Sequence, residues 1–369
     1  MLVWILLKKW KVLKVNLLVL LLLLFLIEQY LIYFDKGILT YEEQMGSRHY
    51  TSLYAMGLPK NYDAFDNWIC KPNTEETQTN LDFSYLKSYN SEGLRDVYLD
   101  TSGLKSMTVL IALGDSFTEG SGAPQDSTWP ALLEQKINIQ EIDRYKVING
   151  GIAGSDPVFE YKLFKTNLLK FHPSLLIVSV NISDIIDLMC KKGFDRFKQD
   201  KVNYNEKPVW EYFYAVSRVF RIIACTVFKI DPYLLLLPDE KEKRYRKAYK
   251  DFEESIQKFS DLTAEINCRF LVVYNPHLFE FSNLKSSMHL DFSFEKDLKT
   301  DAASNKFTVP IVFLKDSLIK YNLIDTSKLK DFYWQHDYHF KPKGYNAWAE
   351  FMKKEVKQLN LNHKGEISD

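Results

Sequence analysis

The chain has 369 residues, 46% of them hydrophobic and 26% charged, which suits one large α/β domain with additions. Lys+Arg and Asp+Glu are equal at 48 each, so the basic face that a nucleic-acid partner needs is not expected.

The N-terminus does not read as globular. Lys8, Lys9, Lys11 and Lys14 precede the apolar run "NLLVLLLLLFLI", Asn16 to Ile27. That run resembles a secretion-signal core, but no small-residue cleavage site follows it. Extended through Gln29 to Phe34, with Tyr30 and Tyr33 suited to the interface, the segment is long enough to span a bilayer. Lysines lie before it, and Glu28 and Asp35 after it. The positive-inside rule then predicts a single-pass signal anchor, with the N-terminus cytoplasmic and the rest periplasmic or extracellular. A buried core helix is the alternative. Residues 1–38 are read as cytoplasmic tail and anchor.

Residues 39–105 read as a stem and N-terminal extension, polar and aromatic without strong periodicity. Within them, "YNSEGLRDVYLD" holds a turn signal, Asn90 to Gly93, between strand-like pieces. From 108 the pattern changes. "TVLIALGD" is a first strand. "STWPALLEQKIN" is a helix with Ser127 or Thr128 as N-cap. "YKVINGG" is a second strand. "DPVFEYKLFKTNLLKF" is an amphipathic helix, capped by Ser155 or Asp156 with Pro157 at its first position. "SLLIVSVNISD" is a third strand. A helical insertion, rich in aromatics and Lys, is expected at about 186–240. A long charged helix follows from Pro238, then the strand "CRFLVVYNP", a fifth strand within "FTVPIVFLKD", and the closing helix "KPKGYNAWAEFMKKEVKQL". Strands alternating with helices predict an α/β domain over 106–360: a parallel sheet with helices on both faces, followed by a tail over 361–369.

Cys70, Cys190, Cys225 and Cys268 form no C-x-x-C pair. Disulfides and buried thiols both stay open. No zinc-ligand spacing, H-E-x-x-H, P-loop or EF-hand pattern occurs, so no metal and no cofactor is expected.

In an open parallel sheet, ligands bind beyond the carboxyl ends of the strands. Three strands end in polar or glycine-rich turns: Gly114-Asp115-Ser116, Asn149 to Gly154, and Asn181 to Asp184. "QHDYHFKPKGY" lies just before the last helix. Meeting at one edge, these segments supply what nucleophilic acyl transfer needs: a hydroxyl, a base, a carboxylate to orient the base, and donors for an oxyanion.

"GDSFTEG", "NGGIAG" and "HDYHFKPKG", in that order, resemble the blocks of the SGNH (GDSL-like) hydrolase family. "NSEGLRD" is similar to a segment that precedes the first block in many membrane-attached members. The resemblance covers roughly 106 to 358. It implies a flavodoxin-like three-layer sandwich, here preceded by one transmembrane helix. It also implies Ser116 as nucleophile, His339 as base, Asp337 as its partner and Gly154 as a backbone oxyanion donor. Asp115 and Asp184 are expected to support the site. The third block departs from the family's Gly-x-Asn-Asp: this chain has "NISD", with Ser183 in the asparagine position. Either Ser183 substitutes, or Asn181, two residues upstream on an extended segment, reaches in, or activity is low.

The expectation is an exported, membrane-anchored serine esterase that removes an O-acyl group, acetyl by preference, from a glycan or a related small ester. Two alternatives remain. One is an O-acyltransferase, which with a single span would need a partner membrane protein. The other is a non-catalytic module that binds a glycan or protein, favoured by Ser183.

Overall fold

The computed structural model describes residues 2–34, 71–96, 103–139, 145–197, 217–231, 234–281 and 293–359, together with Trp210, Phe213 and Tyr214. Asp35, Cys70, most of the expected stem, part of the insertion and the tail lie outside them. The chain forms two compact units. One comprises Met1–Leu58, Asn205–Arg244 and Ser287–His289; the other comprises Pro59–Tyr204, Tyr245–Ser286 and Leu290–Asp369.

In chain order the regular elements begin with α1 (Leu2–Phe34), then the hairpin strands β1 (Glu75–Thr79) and β2 (Ser84–Ser88). The α/β alternation follows: β3 (Thr108–Leu113), α2 (Ser116–Glu119), α3 (Trp129–Asn138), β4 (Tyr145–Asn149), α4 (Pro157–Leu163), β5 (Leu175–Val180) and α5 (Ile182–Lys191). Next come α6 (Arg218–Thr226), α7 (Pro238–Glu265), β6 (Arg269–Tyr274), α8 (Leu278–Phe281) and α9 (Phe294–Ala303). The described chain closes with β7 (Ile311–Phe313), α10 (Leu314–Lys320) and α11 (Pro342–Gln358).

The larger unit is built on a five-stranded parallel sheet in the order β4-β3-β5-β6-β7. This is the flavodoxin-like order that the family resemblance implied; the strand–helix alternation itself predicted the parallel sheet. β3 and β5 are apolar runs buried at every position, as strands covered on both faces must be. β7 is short because Pro310, which has no N–H to give a ladder, stands just before it. Side chains of alternate parity feed two cores. Leu110, Ala112, Val147, Leu175 and Ile177 face α3 and α11, where the Trp129 and Trp348 rings stack at 4.8 Å. On the opposite face, Phe270 of β6 meets Phe259 of α7, which also meets Tyr161 and Phe164.

The caps explain where helices begin. Asp156 accepts the Val158 and Phe159 N–H groups, and Pro157 takes the first position of α4. Thr128 precedes α3 without a side-chain cap bond, so α3 relies on Pro130 and on packing. α5 begins where the third strand was expected to continue. "NISD" does not prolong the third strand. Asn181 and Asp184 form a capping box, and the chain turns helical at Ile182. Cys190, Cys225 and Cys268 carry thiols, and burial pushes Cys268 up to about 12.

In the smaller unit, α1 contains one stretch, Val12–Phe34, long and apolar enough to cross a membrane, with few of its side chains covered. α6 and the first turns of α7 also belong to this unit.

Beneath the carboxyl edge of the sheet lie buried acids. The Ser155 hydroxyl is 3.1 Å from the Gly114 carbonyl and 2.7 Å from Glu160 Oε1. One hydroxyl proton cannot serve two acceptors. Ser155 therefore donates to the carbonyl and receives from a protonated Glu160, whose other oxygen has no partner among the described residues. Burial, with Asp115 and Asp156 nearby, holds Glu160 well above its usual range and agrees with this proton count. A raised acid weakens the fold as pH rises, because the unfolded chain releases a proton that the folded one keeps. The loss is about 1.4 kcal/mol per pH unit between the unfolded and folded values. Glu160→Gln keeps a donor to Ser155 and removes the titration. Its advantage in Tm over the wild type should grow as pH is raised from about 5 to 8. Thermal melts across that range check this; a constant difference would refute the protonated state.

Candidate active site

The end of β3 is shaped by backbone geometry. Gly114 has φ +149°, and a Cβ there would lie 2.3 Å from Thr118 Oγ1. Only glycine combines that conformation with that approach. Asp115 then caps α2, its Oδ1 accepting the Phe117 N–H at 2.9 Å. Ser116 is the first residue of that short helix. As the first helical residue, its N–H has no acceptor within the helix.

The Ser116 hydroxyl lies 2.7 Å from His339 Nε2, and His339 Nδ1 lies 2.5 Å from Asp337 Oδ1. An ionised carboxylate only accepts, so Nδ1 carries the ring proton and Nε2 presents its lone pair to the hydroxyl. Phe117 backs the imidazole, with ring centroids 4.6 Å apart. Asp337 and His339 are separated by one residue, so the intervening turn must be tight. Tyr338 makes it in the left-handed region, at φ +65°. Trp334 N–H on the His339 carbonyl and a Tyr333–Phe340 bridge hold the loop closed.

The far side of Asp337 is held by a segment in which the sequence showed no periodicity. Asn80 Nδ2, in the β1–β2 turn, donates to Asp337 Oδ2 at 2.7 Å. Asp82 accepts the backbone N–H groups of His336 and Asp337, each at 2.8 Å, and its other oxygen meets His336 Nδ1. These hydrogen bonds, outweighing burial, hold the Asp82 carboxyl below its ordinary value. His336 thus pairs with the hairpin, away from Ser116. Just downstream, the fully buried Arg95 donates to the carbonyls of Glu119, Gly120 and Ala123, gripping the loop after Ser116. Asp96 accepts from Lys146 and from the Asn149 N–H. The boundary expected near 105 separates segments that the structure joins.

The second block packs against the nucleophile turn. Gly151 fits because a Cβ there would come within 2.1 Å of the Glu119 N. Ile152 N–H and the Ser155 hydroxyl both bond the Gly114 carbonyl. Gly154 adopts φ +74°, and its carbonyl accepts from Lys191 Nζ at 2.6 Å.

The third block differs from expectation. Asn181 is the fully buried N-cap of α5, its Oδ1 accepting Ser183 N–H at 2.7 Å and its Nδ2 donating to Asp115 Oδ2 at 3.0 Å. The Ser183 hydroxyl lies 2.9 Å from the same Asp115 oxygen and also touches Asn181 Oδ1. Its one proton is committed inside this cluster. The extended segment that would have let Asn181 reach inward is a helix start instead. Asp184 accepts the Asn181 N–H at 2.6 Å, and burial with Asp115 nearby pushes it well above its usual range.

Sequence reasoning missed His277. It follows β6, is buried against Phe117, and donates from Nε2 to Asn181 Oδ1 at 3.2 Å. Burial, with His339 nearby, pushes it down to about 3, so it is neutral in ordinary buffers. Its position at a strand's carboxyl end was the available signal. The "NLDF" turn, Asn80 to Phe83, was readable as a turn, but its target was not.

An open parallel sheet with Ser116 at the carboxyl end of β3 is the fold of the SGNH hydrolases. Residues 110–352 match the family model described as GDSL-like Lipase/Acylhydrolase, and the chain belongs to that family. By sequence, no curated protein matches it. Among solved structures it resembles an acetyl xylan esterase, AlAXEase, at 16% identity over 67% of this chain and 99% of that one (TM-score 0.40). A two-domain esterase (CEX) active on acetylated mannans matches at 12% identity over 72% of this chain and 52% of that one (TM-score 0.40). The lipase/acylhydrolase from Enterococcus faecalis matches at 14% identity over 70% of this chain and 98% of that one (TM-score 0.38).

The left-handed Tyr338 gives a local test. A non-glycine residue there costs roughly 1–2 kcal/mol, which glycine avoids. Tyr338→Gly should keep the wild-type melting temperature within a few degrees, whereas Tyr338→Val should lower it and loosen the His339–Asp337 bond. The downfield Nδ1 proton of His339 in NMR spectra reads the bond directly. Equal spectra for both variants would refute the constraint.

Proposed function

We propose that this acylhydrolase-family chain is a serine esterase using Ser116, His339 and Asp337, anchored by α1 with its larger unit outside the cytoplasm. The observation that carries the reading is the continuous hydrogen-bonded chain from Ser116 through His339 to Asp337. In the proposed reaction His339 takes the Ser116 proton as the oxygen attacks an ester carbonyl. Asp337, its second oxygen occupied by Asn80, holds the imidazole tautomer and offsets its charge. The N–H groups of Ser116 and Gly154 stabilise the oxyanion. His339 then protonates the departing alcohol, and water, activated the same way, releases the acid.

The substrate we infer is an O-acetyl group on a carbohydrate. Trp334 and Phe83 pack at 5.5 Å and, with the exposed Tyr338, put partly exposed aromatic faces beside His339. Such faces suit the apolar side of a sugar ring.

Release of acetate from an activated acetyl ester tests the chemistry. Ser116→Ala should abolish turnover without changing the melting temperature. Asp337→Asn should lower kcat by about 10⁴, as for a triad whose tautomer is lost. Equal rates in wild type and Ser116→Ala would end the proposal.

Ser183 gives a second, graded test. The serine hydroxyl is engaged by Asp115, leaving two backbone donors for the oxyanion. Ser183→Asn offers a longer donor and should raise kcat about tenfold, short of the full worth of an oxyanion-hole group. An unchanged kcat would mean that position 183 does not face the oxyanion.

A further inference from the structure

The smaller unit contains a feature that the esterase reading does not use. Glu28 lies within the apolar span of α1, six residues and about 9 Å along the axis before its end at Phe34. A carboxylate at that depth is costly unless paired. α6 provides the pairing. Glu28 accepts the Ser217 hydroxyl at 2.8 Å, the Arg218 N–H at 2.8 Å and the Val219 N–H at 3.1 Å. The Arg218 guanidinium donates in turn to the Leu31 carbonyl. The start of α6 is thereby fixed to the last turns of the span. Tyr30, Tyr33 and Phe34 form the aromatic belt of α1 at that level.

From this pin α6 presents an apolar stripe to its surroundings. Val219, Ile223 and Val227 repeat at four-residue spacing on one face, and Val227 and Phe228 are 67% and 57% exposed. Phe213 is also exposed, and Lys229 beside Phe228 is an exposed cation. Another side of α6, with Phe220, Ala224 and Cys225, packs with Tyr214, Ile230 and Leu235. We propose that α6 is an in-plane membrane helix: its exposed stripe enters the boundary between lipid headgroups and acyl chains, at the depth set by Glu28. Interfacial helices bury their apolar face about 5–10 Å into that boundary, which matches the 9 Å estimate. The occupant of the stripe is the lipid bilayer. The inference rests on the reading that α1 spans a membrane.

Photocrosslinking of the full chain in phosphatidylethanolamine–phosphatidylglycerol vesicles tests it. p-Benzoylphenylalanine is placed singly at Phe228, at Val227, at Phe34 as a reporter of the span, and at Leu81 as an exposed control. Val227 is included so that misfolding of one variant does not decide the result. Lipid adducts at 227 or 228 comparable with those at 34, and absent at 81, are expected. Adducts at 34 but at neither 227 nor 228 would leave the anchor standing and overturn the in-plane helix. Adducts at none of the three would overturn the anchor reading and this inference together. Protein adducts at 227 and 228, or lipid adducts equally strong at 81, would also overturn it.

Discussion

One buried carboxylate determines how the turn at Ser116 and the start of α5 are held together. Asp115 Oδ1 caps the helix that begins with Ser116, and its Oδ2 receives Asn181 and Ser183 at the start of the helix after β5. β3 and β5 are neighbours in the sheet, so Asp115 joins the ends of two adjacent parallel strands where the connections diverge. Gly114 is needed because the chain must turn sharply to bring Asp115 into that position. Asn181 is oriented by the same demand, since its Oδ1 faces Ser183 N–H and His277 while its amide faces the carboxylate. The departure at Ser183 follows too. A side chain too short to reach past Asp115 bonds to it instead.

Much of the fold was legible because its strands are unbroken apolar runs between polar turns. Their lengths, the Asp156 cap with Pro157, and the order of the three blocks carried the topology and brought Ser116, His339 and Asp337 into view. What failed to show had physical reasons. "NISD" continues an apolar strand in composition, yet Asn181 and Asp184 stand three apart, the spacing of a capping box. That local signal competed with strand periodicity, and in the structure it prevails. His277 is a single buried histidine after a strand, and nothing local says that it orients Asn181. The Asn80–Asp337 bond spans 257 positions, beyond the reach of any periodicity.

The hydrogen-bonded chain Ser116–His339–Asp337 is also built from two different kinds of support. Ser116 stands on the sheet, fixed by a glycine, a cap and close packing of the Gly151 loop. Asp337 stands on a loop whose rigidity comes from outside the sheet: the left-handed Tyr338, the Tyr333–Phe340 bridge and the hairpin turn that holds it by three side-chain and backbone bonds. His339 lies between these supports, backed by Phe117. Errors in either support would be felt at its ring.

The hairpin bears on how this protein can be divided. Residues 110–352 contain all the family's blocks and would be the natural piece to excise for expression, or to graft onto another chain. That piece would leave out Asn80, Asp82 and Arg95. It would keep Ser116, His339 and Asp337 and lose the hydrogen bonds that hold Asp337 from the hairpin.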